Sequence, residues 1–318
     1  MNKSPLLLSV SFTEAEQLGD VRDGLDGRPV IDWEKGDRPA SLAGVKYALV
    51  WKFDHDLFDK MPDLEVIFNA GAGVDKILAN PNLPKDIPVV RFVDPTLTTR
   101  MGEWVCLQVL THFRQQLRYN SQQRECTWQG LPQPEASTMN VGIMGMGVLG
   151  QDSARKLKIL GFNVSGWSRT KKTIEGIDCY DASETDAFLA RNHVIVGLLP
   201  YTPDTHGFFN RTLFEKIGKH PVLPSPIFIN AGRGGSQVEA DIHSCLEDGT
   251  LGGVSLDVFE TEPLGRNSPL WKLDNAVLTP HVASDSDVVA LGRYVEAQIQ
   301  RHESGKGLEN IVDRTAGY

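Results

Sequence analysis

Asn140-Val141-Gly142-Ile143-Met144-Gly145-Met146-Gly147-Val148-Leu149-Gly150 is the stretch that decides the fold. A short apolar strand runs into three glycines spaced G-x-G-x-x-G, and a helical pattern follows to Leu160. Without those flanks, such glycines merely turn a chain. With them, Gly145 permits the tight turn, Gly147 lets backbone approach a pyrophosphate, and Gly150 lets the helix lie against the strand. The helix start, Val148 and Leu149 included, offers N–H groups and a partial positive charge to the phosphates. The next strand, Phe162 to Trp167, should end in a carboxylate if the bound ribose carries a free 2′-hydroxyl. It ends instead in Ser168-Arg169-Thr170-Lys171-Lys172. Hydroxyl and cationic groups there hold a 2′-phosphate, which a carboxylate would repel. The expected cofactor is NADP(H), with weaker use of NAD(H).

The 318 residues suggest two domains, each able to bury a core. Against 32 Lys plus Arg stand 41 Asp plus Glu, a net charge of −9, which argues against nucleic-acid and anionic-membrane partners. An anionic substrate must then be drawn by a local positive pocket. Cys106, Cys126, Cys179 and Cys245 are scattered, without metal spacing, and read as reduced thiols of a cytoplasmic protein. No run approaches the ~20 apolar residues of a membrane helix, and no metal site is expected.

Short apolar runs alternate with helical patterns from end to end, the signature of parallel α/β architecture. Strands are expected at Leu6–Val10, Tyr47–Trp51, Leu64–Asn69 and Val89–Phe92. One long helix then runs from Thr98 to about Arg124. Six further strands follow: Val141–Met144, Asn163–Trp167, His193–Leu198, Ile227–Asn230, Val254–Val258 and Ala276–Leu278. The last apolar helix, Ser286 to His302, returns the chain to its first domain. The expected fold is therefore two Rossmann-like or flavodoxin-like lobes, the dinucleotide-binding lobe (104–285) inserted into a substrate lobe (1–103 and 286–318), with a cleft at their boundary. Ser236-Gln237-Val238-Glu239 reads as a capping box, and Asp285 and Asp287 as caps of the last helix.

Ligands of an open parallel sheet sit outside the carboxyl ends of its strands. Arg233 follows the strand ending at Asn230, Glu262 the strand after Gly253, and His281 the strand starting at Ala276. Alone, they read as a surface arginine, a helix-start carboxylate and a loop residue. On one rim beside a nucleotide fingerprint they make a working set: a cation for a carboxylate, a proton donor near neutral pH, and an acid to hold the imidazole.

The run Ile229-Asn230-Ala231-Gly232-Arg233-Gly234, with Leu256-Asp257-Val258-Phe259, Glu262-Pro263-Leu264, Ser268-Pro269-Leu270-Trp271 and Leu278-Thr279-Pro280-His281, resembles the D-2-hydroxyacid dehydrogenase family. Ala48-Leu49-Val50-Trp51, Gly71-Ala72-Gly73-Val74-Asp75, Trp167-Ser168-Arg169-Thr170, and Val312-Asp313-Arg314 with Gly317-Tyr318 are similar to its glyoxylate/hydroxypyruvate reductase A group. The resemblance spans essentially the whole chain. It implies that Arg233 binds the substrate carboxylate and polarises the 2-oxo group, that His281 donates the proton, and that Glu262 orients the imidazole. It further implies that Ala72 and Gly73 complete the carboxylate site and that Trp51 walls the pocket. Asp257 would lie near the nicotinamide carboxamide, with Ala231, Leu199, Pro200 and Thr205 lining the cofactor. It also suggests a homodimer.

The expected activity is NADPH-dependent reduction of small 2-oxo acids: glyoxylate to glycolate and hydroxypyruvate to D-glycerate. A second class is a non-catalytic NADP(H)-sensing regulator on the same fold, which has no need of Arg233, Glu262 and His281. A formate-type dehydrogenase has no proton to transfer and no use for an acid–imidazole pair.

Overall fold

The seven-stranded sheet that carries the glycine turn alternates its side chains strictly between two cores. Ile227 and Ile229 enter one, with Val141, Ile143, Val194 and Val196. Phe228 enters the other, with Ile195, Val254 and Leu256. Successive residues of a strand point to opposite faces, so runs buried on both sides are apolar at nearly every position, Ser165, Asn230 and Ser255 being buried polar exceptions. That is why these strands read as continuous hydrophobic segments.

The computed structural model describes residues 3–10, 20–36, 38–51, 53–71 and 73–315. Ala72, Gly317 and Tyr318 therefore lie outside the described residues. The chain forms two compact units, Met1–Leu97 with Asp285–Tyr318, and Thr98–Ser284. The second is thus contiguous within the first. Both are α/β, with wholly parallel sheets, in agreement with the expected fold class.

The first unit holds β1 (Leu6–Ser9), β2 (Val30–Asp32), β3 (Tyr47–Val50), β4 (Val66–Asn69) and β5 (Val89–Arg91) in the order β2-β1-β3-β4-β5. This is the flavodoxin-like order. The helix Val288–Glu303 buries Val288, Leu291, Val295 and Ile299 among Leu6, Tyr47, Leu49 and Phe68. Those helix positions share one face at helical spacing. Buried Glu296 on the same helix pairs with Arg28, Nε to Oε2 at 2.6 Å, and Arg28 also donates to the Ser4 carbonyl. Asp287 caps this helix as expected, accepting from the N–H groups of Val289 and Ala290 at 2.9 Å each. Asp287→Ala is expected to lower stability by about 1 kcal/mol, the usual worth of an N-cap, read from the midpoint of chemical denaturation.

The second unit holds β6 (Asn140–Met144), β7 (Asn163–Trp167), β8 (Asp178–Tyr180), β9 (Val194–Gly197), β10 (Ile227–Asn230), β11 (Gly253–Leu256) and β12 (Ala276–Leu278). Their order is β12-β11-β10-β9-β6-β7-β8. The strand order reverses between β6 and β9, and the glycine turn leaves β6 at that switch point, where nucleotides bind.

Three sequence expectations need correction. The six strands of this sheet are seven, because the short edge strand β8 is too polar to read as one; β2, in the first unit, escaped notice for its brevity. The single helix from Thr98 is two, Pro95–Phe113 and Gln116–Arg124. Between them Gln115 adopts φ 55, held by its side chain donating to the Pro132 carbonyl at 2.6 Å. A left-handed residue that is not glycine costs about 1–2 kcal/mol, so only such distant contacts impose it. The third is the capping box. Ser236 ends a short 3-10 turn and donates to the Arg233 carbonyl, and no side chain caps the helix Glu239–Glu247. Glu239 and Glu260 instead exchange backbone-to-carboxylate hydrogen bonds of 2.7 Å in each direction.

Candidate active site

Each glycine of the fingerprint has its own geometric requirement. Gly145 adopts φ 111, and a Cβ there would stand 2.4 Å from the Leu198 carbonyl oxygen. At Gly150 a Cβ would meet the Gly145 carbonyl oxygen at 2.1 Å, so this glycine lets the helix close on the turn. A Cβ on Gly147 would meet nothing within 4 Å. That open space lies at the N-cap of the helix Val148–Ile159, which no side chain caps. Uncapped N–H groups beside open space fit a pyrophosphate.

The basic end of β7 sorts its residues. Ser168 donates from its hydroxyl to the Thr170 carbonyl at 2.8 Å, folding the turn that carries exposed Arg169. Lys171 forms an ion pair with Glu184 at 2.8 Å, which raises its own pKa and lowers that of Glu184. Lys172 donates to the Met146 carbonyl at 2.9 Å, tying the basic loop to the glycine turn. Beyond β9, Leu199 is buried and Pro200 exposed; the Pro200 carbonyl accepts from the Thr205 hydroxyl at 2.7 Å.

The chemistry-bearing residues leave three adjacent strands. After β10, buried Asn230 accepts from the Gly232 N–H at 3.0 Å and donates to Gln237 at 2.8 Å. Ala231 is buried within this turn, and Arg233 donates to the Gly232 carbonyl at 2.8 Å. Gly234 packs so closely on the next loop that a Cβ would stand 1.9 Å from the Phe259 carbonyl oxygen. After β11, Glu262 accepts the Phe259 N–H through Oε1 at 3.1 Å. Its Oε2 meets His281 Nδ1, beyond β12, at 2.9 Å. Glu262 thus fixes the imidazole while its own carboxyl is held by backbone, and Nε2 is the nitrogen left to act. Both side chains are partly exposed.

Asp257, at the end of β11, accepts from the Thr279 hydroxyl and from the Val282 and Ala283 N–H groups. Asn230, Gln237 and Thr279 are supports that sequence reasoning missed. Their one signal is a polar residue, Asn230, closing an apolar strand.

On the first unit, buried Asn69 donates to the carbonyls of Gly71 and Gly73 at 2.7 and 2.9 Å. This amide shapes the loop that holds Gly73. The Trp51 ring lies so close to Gly71 that a Cβ there would stand 2.2 Å from it.

The sequence model described as D-isomer specific 2-hydroxyacid dehydrogenase, NAD binding domain, matches residues 106–283. Glyoxylate/hydroxypyruvate reductase A of Serratia proteamaculans is 36% identical over 314 residues, covering 96% of this chain and 97% of that protein. An NADPH-dependent glyoxylate/hydroxypyruvate reductase of Sinorhizobium meliloti, solved with NADP and sulfate, superposes with a TM-score of 0.95 at 54% identity, covering 99% of this chain and all of that one. A probable 2-hydroxyacid dehydrogenase of Rhizobium etli, solved with NADP, HEPES and L(+)-tartaric acid, gives 0.92 at 50% identity with the same coverage. Fold, motif order and full-length similarity agree: this chain belongs to the D-isomer specific 2-hydroxyacid dehydrogenase family.

Proposed function

We propose that this chain is an NADPH-dependent reductase of small 2-oxo acids, converting glyoxylate to glycolate and hydroxypyruvate to D-glycerate. The observation that carries the reading is the Glu262–His281 pair, 2.9 Å apart at the carboxyl edge of the sheet that bears the glycine turn. A fold that only senses a nucleotide has no use for such a pair.

Gly145, Gly147, Val148, Leu149 and Gly150 would hold the pyrophosphate. Ser168, Arg169 and Thr170 would hold the 2′-phosphate, with Lys171 adding charge beside its Glu184 partner. Leu199, Pro200, Thr205 and Ala231 would line the remainder. When bound, the reduced nicotinamide supplies a hydride to the 2-oxo carbon. Arg233 binds the substrate carboxylate and draws charge onto the oxo oxygen. His281, as the imidazolium, gives the Nε2 proton to that oxygen. Glu262 keeps Nδ1 protonated and offsets the positive charge before transfer. The neutral imidazole is then reprotonated from solvent, to which it is partly exposed. Trp51, Ala72 and Gly73 keep their substrate-binding role in the same proposal.

Assembly as a homodimer, which the family resemblance suggests, belongs to the same proposal. The four free cysteines accord with residence in the cytoplasm. Among the described residues, no helix is long and apolar enough to cross a membrane.

Following nicotinamide absorbance with glyoxylate or hydroxypyruvate tests the activity directly; no oxidation of NADPH with either would refute it. For the cofactor, Arg169→Ala is expected to reduce the NADPH-over-NADH preference by one charge-assisted contact, about 1.5–3 kcal/mol or roughly ten- to a hundred-fold. Equal efficiency of the parent protein with both nicotinamides would contradict the assignment.

A further inference from the structure

Asp257 is 1% exposed, and among the described residues its carboxylate accepts from three neutral donors. Oδ1 accepts from the Thr279 hydroxyl at 2.6 Å and the Val282 N–H at 2.9 Å; Oδ2 accepts from the Ala283 N–H at 2.9 Å. A buried carboxylate needs hydrogen-bond donors on both oxygens, and these three supply them. All three flank His281, two residues before it and one and two after it.

His281 itself has φ 58, in the left-handed region that non-glycine residues rarely adopt, and its N–H donates to the Thr279 carbonyl at 3.0 Å. Such a conformation persists where surrounding contacts impose it. Three of the hydrogen bonds that hold this loop run to one carboxylate, at the end of β11, an interior strand of the sheet. That strand is rigid: Ser255 hydrogen-bonds Gln108 and His112, each at 2.9 Å, inside the core. Burial pushes the His112 imidazole down to about 4, so it stays neutral there.

We propose that Asp257 and Thr279 are a positioning pair for the catalytic acid, setting the backbone of His281 so that Nε2 faces the substrate while Glu262 sets the ring. This rests on the reading of His281 as proton donor. It gives Asp257 a different task from the nicotinamide contact that the family resemblance suggests.

Asparagine cannot replace this carboxylate. Whichever way its amide lies, the NH2 group faces at least one of the three donors, and the loop must shift. A misplacement of about 1 Å at a reacting group costs roughly a hundred-fold in rate. Asp257→Asn is therefore expected to lower kcat by roughly that factor, with NADPH affinity by fluorescence titration at the parent level. Thr279→Val, which keeps the shape and loses the donor, should lower kcat less, and Thr279→Ser should restore it. In the protein without cofactor, the His281 imidazole signals in NMR should be displaced in Asp257→Asn and Thr279→Val but not in Thr279→Ser.

Two results would overturn the pairing. One is Thr279→Val with parental kcat and parental His281 signals. The other is Asp257→Asn with weakened NADPH binding, unchanged kcat and unchanged His281 signals, which would make Asp257 a cofactor ligand alone. A parent protein that reduces neither acid would defeat the reductase reading, while the imidazole signals would still decide the positioning role.

Discussion

Replacing His281 by alanine is expected to lower kcat for glyoxylate reduction by about 10²–10⁴-fold, the usual contribution of a positioned general acid. NADPH affinity should stay at the parent level, because the glycine turn and the basic strand end sit on β6 and β7, away from β12. The fold should also survive. His281 is partly exposed, and among the described residues its side chain hydrogen-bonds Glu262. Alanine in a left-handed conformation carries a backbone cost, so His281→Asn is the cleaner companion, asparagine being among the residues most tolerant of that region. Glu262→Gln should fall between the parent and the alanine variant: its one amide oxygen can accept from Nδ1–H only by giving up the Phe259 N–H, and the negative charge beside the imidazole is gone. Steady-state rates with fluorescence titration of NADPH decide the matter. If His281→Ala and His281→Asn both keep the parental kcat, the proton comes from elsewhere and the mechanism fails.

Arg233→Ala should cost about 10²–10³-fold in kcat/KM, comparable to losing a donor aimed at developing oxyanion charge. The effect should appear in both KM and kcat, since in the proposed mechanism one guanidinium both binds the carboxylate and polarises the oxo group. Arg233→Lys should recover little, because a point charge cannot reproduce the planar fork. The turn should remain in place without the side chain. Asn230 holds the backbone at Gly232, and Gly234 is seated against the Phe259 carbonyl. Neutral aldehydes lacking a carboxylate should be poor substrates for the parent and little changed by the substitution. Parental kcat/KM for glyoxylate in Arg233→Ala would remove the guanidinium from the reaction.

Much of the site was legible because its signals are local. G-x-G-x-x-G works through three backbone constraints within six residues, and each glycine has a separate geometric reason in the fold. The rim placement of Arg233, Glu262 and His281 follows from where apolar runs end, and the Glu262–His281 hydrogen bond joins two residues that this placement, their chemistry and the family resemblance together single out. The edge strand β8 was not legible, because Asp178-Cys179-Tyr180 shows neither apolar continuity nor an alternating pattern, and its partner β7 supplies the pairing. Nor was the break at Gln115, which has no proline or glycine and depends on contacts with Pro132.

The order of apolar runs and the chemistry of the residues ending them were enough to determine a parallel α/β chain, a glycine turn between strand and helix, and an acid–imidazole pair. Burial, turn geometry and functional-group identity are written residue by residue. What only the tertiary structure decided is how those groups are held: the carboxylate of Asp257 reaching the Thr279–Ala283 loop, Lys172 bound to the glycine turn, and Glu260 replacing a local cap at Glu239. Each joins residues distant along the chain, and such a hydrogen bond leaves no periodicity in either segment, because its partner is chosen by the packing of the sheet.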